Sequence, residues 1–594
     1  MSKLSSRIEF GVDWSDCRAH VFRVSMKITQ APSHLCLSLP VWTPGSYMVR
    51  EFAQHIISLK VSGAAGGLKA HKINKNTFEL NNQTGDIIVE YEVYAFDSSI
   101  RAAYLDDKQA FFNGTALLLR PHGLEEAGFK LAIRKAKEPW QVATGMTKIE
   151  VDSDGFGTYY AANYDELVDH PVQISTMKRL KFAACGIPHE IVLVGDVRLF
   201  DEVRLIQDLT QLCASQIAIF DGQVSFEHYL FIARFEEGGF GGLEHRNSSM
   251  LLCTPASLAK PGLVKYNANY SNFLSLCSHE YFHAWNVKSL KPLSFVPYNY
   301  DQESYTTMLW VFEGITAYYD DLMLRKAGLI AAESYLELLA KNISRLLRNQ
   351  GRLVQSLSDA SFDSWIKFYR PNENSPNSTI SYYLKGSLLA LCLDLEIRGR
   401  NRGQKSLDQV ISTAFARFGD GRGMSEQSWL SILSEIGGVD SAKLEALYLH
   451  GTAELPLEEH LNQFGIKYEL LADELFIDEK TKTTAYLGCK WRFDDNQRAI
   501  ISFVETKGPA MLAGLSAGDE IIAIDSIRLE PSTWPELALS MRVDQALAIS
   551  FSRKKLVFDT SLTPLSLPLT NCRLTMKTEL SDENRDLRAG WLAL

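Results

Sequence analysis

His279-Glu280-Tyr281-Phe282-His283 is the stretch that decides how the rest of the chain is read. Residues four apart on an α-helix lie one above the other, so both imidazoles can reach a single ion. Glu280 is turned about 100° from His279, close enough to act on a water at that ion without ligating it. Two neutral imidazoles and one further donor suit Zn²⁺, which keeps a fourth position open in catalytic sites. Phe273, Leu274, Leu276, Cys277, Tyr281, Phe282 and Trp285 give the helix its apolar surface, and Lys291-Pro292 is its expected stop. The plainer alternative is a pair of core histidines satisfied by carbonyls.

A third donor is found downstream in Trp310-Val311-Phe312-Glu313-Gly314-Ile315-Thr316-Ala317-Tyr318-Tyr319, an apolar helical run with one acid in it. Leu309, Trp310, Phe312, Ile315, Tyr318, Tyr319, Leu322 and Met323 leave few solvated faces, so this helix is expected to be buried. Carboxylates are almost never fully buried unless paired or on a metal. Glu313 therefore needs a positive partner, which an ion on His279 and His283 would supply.

The order His-Glu-x-x-His, then Glu in a Trp-x-x-Glu-Gly setting, resembles the gluzincin metallopeptidases. The longer strings His-Glu-Tyr-Phe-His-Ala-Trp-Asn-Val-Lys and Glu-Gly-Ile-Thr-Ala-Tyr-Tyr are similar to the glycyl aminopeptidase family, PDZ-bearing cousins of aminopeptidase N. That resemblance implies one Zn²⁺ per chain on His279, His283 and Glu313, with Glu280 as general base. It also implies an aminopeptidase that prefers small first residues, glycine or alanine. Where thermolysin has an aspartate four residues after its glutamate ligand, this chain has Ala317. Asp320, seven residues after Glu313 and so on the same helix face, is placed to accept an imidazole N–H.

At 594 residues the chain is too long for one core. The expected class is multidomain α+β. Residues 1–178 alternate apolar and polar positions, as in Arg7–Val12, His20–Val24 and Ile87–Tyr94, and read as a β-sandwich-like N-terminal domain. Asp169-His170-Pro171 ends it, as an interdomain turn or a substrate-facing loop. Residues 179–464 read as a thermolysin-like zinc peptidase domain, first mixed and then helical. Strands are expected at His189–Val194 and His228–Ala233, with a helix over 201–220 between them.

Gly238-Gly239-Phe240-Gly241-Gly242-Leu243-Glu244-His245 precedes a strand-like Ser249–Cys253. Glycines let another backbone approach a strand edge, where a peptide can add as an extra strand. No Gly-Lys-Ser/Thr follows, so this is not a phosphate loop. The segment resembles the Gly-x-Met-Glu-Asn strand of aminopeptidase N, with Gly241, Gly242, Leu243, Glu244 and His245 in the five places. The resemblance gives Glu244 the substrate's free α-amine; histidine in place of asparagine leaves the role of His245 open. A glycine-rich surface loop with a solvated acid is the plainer alternative. Ser381-Tyr382-Tyr383-Leu384-Lys385-Gly386 resembles the Tyr-x-Lys-Gly motif of the same relatives, where the tyrosine faces the oxyanion. Tyr383 holds that place, and Tyr382 is the neighbour it has to be told from.

Residues 465–570 resemble a PDZ domain. Tyr486-Leu487-Gly488-Cys489 stands where the carboxylate-binding loop would be, so Leu487 and Gly488 are its candidate peptide-binding residues. Ala517-Gly518-Asp519-Glu520-Ile521-Ile522 carries the more specific match. Such a groove takes a C-terminal peptide by strand addition, or the module serves packing alone. Residues 571–594 are left as an unassigned tail.

A net charge of −10 argues against non-specific nucleic-acid binding. No apolar run reaches membrane-spanning length, and no signal-peptide core is seen at the start. Nine scattered cysteines without paired spacing point to reduced thiols in the cytoplasm. Three other functions compete with the aminopeptidase. An endopeptidase or an epoxide hydrolase would use the same metal site, and a non-enzymatic scaffold would use only the PDZ groove.

Overall fold

The computed structural model describes residues 6–14, 16–81, 85–262, 267–473, 475–476 and 482–594. Packing divides the chain into two compact units. One holds residues 1–306, 319–330 and 408–432; the other holds 307–318, 331–407 and 433–594.

The first unit begins with β-structure, as alternation predicted. Along Val21–Ala31, Phe22, Val24, Met26 and Ile28 face inward while Arg23, Ser25 and Lys27 face solvent. This strand lies between Ile8–Asp13 and Gly85–Tyr94 in an eight-stranded sheet, joined by two four-stranded sheets. A five-stranded sheet follows, in the order Lys178–Ala184, Ile187–Gly195, Tyr229–Phe235, Ser248–Cys253, Gly241–Glu244. Tyr229–Phe235 is central and buried throughout, hence its apolar character, broken only by Arg234, which pairs with Glu236. Gly241–Glu244 is the edge strand, antiparallel to its neighbour. The helix expected over 201–220 runs Glu202–Ile219, capped by the Asp201 carboxylate on the Arg204 N–H.

The histidine-bearing helix runs Ala268–Phe282, capped by Asn267. It is held from behind: the Tyr229 hydroxyl donates to the Glu280 carbonyl (3.1 Å), and the Gln216 amide donates to the Ser278 carbonyl (2.9 Å). It stops at His283, well before the expected Lys291-Pro292. The chain after His283 folds back on itself, with Lys288 N–H bonded to the His283 carbonyl and Leu290 N–H to that of Trp285. Val287 takes a positive φ of 112° to make that turn, which apolar periodicity could not show.

In the second unit, a π-helical turn at Trp310–Gly314 precedes the α-helix Ile315–Lys326, whose first residues belong to the unit. It crosses the helix Tyr382–Arg400 at a pair of glycines: a Cβ on Gly314 would lie 2.7 Å from the Gly386 Cα and 2.9 Å from the Tyr382 carbonyl oxygen. The glycines of the Glu-Gly and Lys-Gly pairs are thus explained by one close backbone crossing.

Residues 571–594 are an integral part of this unit. Asn571–Met576 pairs antiparallel with Ile466–Leu471, and the helix Asp582–Leu592 buries Trp591 against Tyr335 and Phe464. Between the two paired strands lies a sheet of Cys489–Phe493, Ala499–Val504, Glu520–Ile524, Leu547–Arg553 and Leu556–Leu562, with Ile527–Arg528 at its side. Helices Pro509–Leu512 and Trp534–Ser540 accompany it around a core that includes Ala499, Ile501, Ala510, Ile521 and Phe551.

Candidate active site

His279 and His283 stand on successive turns with ring centroids 4.7 Å apart. Each imidazole has its Nδ1 committed. That of His279 lies 3.2 Å from Asp320 Oδ2, and that of His283 lies 2.8 Å from the Asn286 carbonyl. Carboxylate and carbonyl oxygens only accept here, so both Nδ1 atoms carry protons and both Nε2 atoms keep their lone pairs. This is the tautomer a metal needs, fixed by outer partners.

Glu313 sits in the π turn, 2% exposed, among Trp310, Val311 and Phe312. π turns of this kind recur at functional sites. One donor atom from each of His279, His283 and Glu313 can be taken with all three within 4.8 Å of one another. These donors, two imidazole nitrogens and a carboxylate oxygen, fit Zn²⁺.

A second triangle of the same size joins Glu244, Glu280 and His283. Glu244 is 4% exposed, and its Oε1 makes no hydrogen bond among the described residues. A buried carboxylate oxygen without a donor is costly and calls for a cation. Gly242 also packs directly against Glu280. A Cβ there would lie 2.0 Å from Glu280 Oε1, so the strand backbone is pressed against the base. Gly241, next to it, has open space around its Cα.

Gly45 and Arg101, which nothing in the sequence marks, complete this wall together with Asp169 of the expected 169–171 turn. Gly45, at φ 92°, would place a Cβ 2.5 Å from both Glu244 carboxylate oxygens. Arg101 donates to the Gly242 carbonyl at 2.9 Å. Asp169, at the end of the short helix Tyr164–Val168, is a partly buried hub. Its Oδ1 lies 2.6 Å from Lys288 Nζ and 3.2 Å from His245 Nδ1, and its Oδ2 lies 3.4 Å from Arg246 Nε. Burial would raise its carboxyl, but Lys288, His245 and Arg246 together hold it well below the usual carboxylate range. His245 thus ties the strand bearing Glu244 to the turn after His283. No local motif marks these residues; only the fold brings them together.

Tyr383 is half-buried in the first turn of its helix, which Ser381 caps, with its hydroxyl 3.2 Å from that of Tyr369. Tyr382 is fully buried.

The donor set is one that a metal-dependent hydrolase could use. Residues 9–176 match the Peptidase M61 N-terminal domain, and residues 272–389 match M61 glycyl aminopeptidase. An aminopeptidase N family protein from Idiomarina loihiensis is 35% identical, with 98% of this chain covering 100% of that one at a TM-score of 0.91. The chain belongs to the M61 glycyl aminopeptidase family of metallopeptidases. An M1 zinc metallopeptidase from Deinococcus radiodurans is 11% identical over 76% of this chain and 94% of its own, with a TM-score of 0.48. No curated protein matches the sequence.

Proposed function

We propose that this protein is a zinc aminopeptidase that removes small residues, glycine or alanine, from peptides with a free amino terminus. The observation that carries this reading is the buried, hydrogen-bond-deficient Glu244 carboxylate in one triangle with Glu280 and His283. A single Zn²⁺ would be held by His279, His283 and Glu313; when bound, it supplies Lewis-acid polarisation and lowers the pKa of water.

The chain's own residues do the rest. Glu244 holds the α-ammonium and so sets the scissile bond at a fixed distance from the terminus. Glu280 accepts a proton from the attacking water and delivers it to the leaving amine. Tyr383 donates its hydroxyl to the developing oxyanion. Preference for a small first residue is supported by the Gly45 loop, which lies against Glu244 and leaves little room there.

We assign the Leu487-Gly488 loop to capture of a C-terminal peptide. The loop precedes Cys489–Phe493, an edge strand, and takes a positive φ of 69° at Gly488. The cytoplasm is the compartment that suits nine free cysteines. No helix among the described residues is long and apolar enough to cross a membrane.

The test is metal analysis paired with Gly-, Ala- and Leu-p-nitroanilide substrates. One zinc per chain, lost in Glu313→Ala, with Gly and Ala turned over fastest, supports the reading. Stoichiometric zinc in Glu313→Ala removes Glu313 from the ligand set, and preferred cleavage of Leu-p-nitroanilide removes the small-residue preference. Internal cleavage of a blocked peptide would favour the endopeptidase.

A further inference from the structure

In the amino-terminal region, the strand His34–Ser38 pairs antiparallel with Thr77–Asn81, and Cys36 lies directly across from Glu79. Leu35, Leu37, Phe78 and Leu80 point into the core from these strands. Alternation then puts His34, Cys36 and Glu79 on the opposite face, and a one-residue slip of either strand would turn its donors into the core. The register is therefore locked by the core, and the donors are presented by backbone rather than by a loop.

One donor atom each from His34, Cys36 and Glu79 lie within 4.8 Å of one another. Donors around a tetrahedral Zn²⁺ stand roughly 3.3–3.5 Å apart, so rotamer adjustment of about 1 Å closes the set. The exposed His34 ring has the freedom to make it. Asn81 orients two of the three. Its Oδ1 lies 2.8 Å from His34 Nδ1, and its amide donates to Glu79 Oε2 at 2.9 Å. The His34 nitrogen that faces Glu79 is this same Nδ1, 4.0 Å from Oε1, so an ion would take Nδ1 in exchange for its Asn81 contact.

We propose that His34, Cys36 and Glu79 form a second metal site, separate from the catalytic one, for a borderline-soft divalent cation such as Zn²⁺. Thiolate with imidazole is the donor combination that selects such ions over Mg²⁺ or Ca²⁺. Half-burial and the nearby Glu79 charge both raise the Cys36 thiol pKa, so the thiol is protonated without metal. Binding forms the metal–sulfur bond and releases that proton to solvent.

Cobalt(II) separates this site from the catalytic one, whose proposed donors include no sulfur. The full-length protein, stripped with a chelator and titrated with Co²⁺, is expected to take two equivalents and to develop the near-ultraviolet thiolate-to-cobalt charge-transfer band. Cys36→Ser should take one equivalent without the band and keep parent peptidase activity once loaded. Glu79→Gln, which leaves the thiol in place, should keep the band but weaken the second equivalent by about tenfold or more. Absence of the band in the parent protein, or its full retention in Cys36→Ser, would overturn the proposal.

Discussion

Asp320 Oδ2 lies 3.2 Å from His279 Nδ1, one helix reaching back to set the tautomer of a histidine on another. Such outer partners typically carry about 10–100-fold of metal affinity. Asp320→Ala is therefore expected to weaken zinc binding by about that factor while the protein stays folded. Competition against a chromophoric chelator measures it. Parent affinity in the variant would mean that His279 is oriented by something else.

Gly242 is the second place where backbone and chemistry are tied. Alanine there sets a methyl carbon 2.0 Å from Glu280 Oε1, and the carboxylate must move. A displacement of about 1 Å at a reacting group costs on the order of 10²-fold in rate. Gly242→Ala should thus lower kcat by about 10²-fold with zinc content unchanged. Unaltered kcat would show that Glu280 works from a different rotamer.

His170 makes stability depend on pH. Burial first, and then the Arg246 charge, lowers its pKa to about 3, against an unfolded value near 6.5. Above about pH 6.5 both states are neutral and the contribution is fully present. As pH falls from there towards 3, the unfolded chain binds a proton that the folded one refuses, so stability drops by up to ~1.4 kcal/mol per pH unit. His245, also buried and lowered, acts in the same direction. Urea midpoints at about pH 7 and pH 5 should fall with acid, and fall less in His170→Gln. Equal slopes in the two proteins would exclude His170 as a source.

Much of this site is legible in the sequence. The histidine pair was legible because a four-residue spacing is a geometric statement on a helix. Glu313 was legible as an acid without a solvated face. Asp320 followed from helix periodicity. What escaped reading was set by turns and long-range packing. The π turn under Glu313 and the early stop at His283 depend on backbone hydrogen bonds that periodicity does not encode. Gly45 and Gly242 were visible as glycines, but the carboxylates that require them lie 199 and 38 residues away in the chain. Asp169 and Lys288 meet only because a sheet, a short helix and the turn after the metal helix converge. The last 24 residues read as a tail because the partner of Asn571–Met576 lies about a hundred positions earlier, at Ile466–Leu471.

The central claim, that Glu244 reads a free amino terminus beside the metal, is tested by a double comparison. Parent and Glu244→Ala are assayed on one Gly- or Ala-initiated peptide in its free and N-acetylated forms. An unpaired charge in a buried site costs several kcal/mol, and truncating one partner of such a pair costs ~2–5 kcal/mol. The account predicts that loss in kcat/KM on the free peptide, poor cleavage of the acetylated peptide by the parent, and a much smaller further loss there. Equal losses on the two peptides would contradict it and put the endopeptidase ahead.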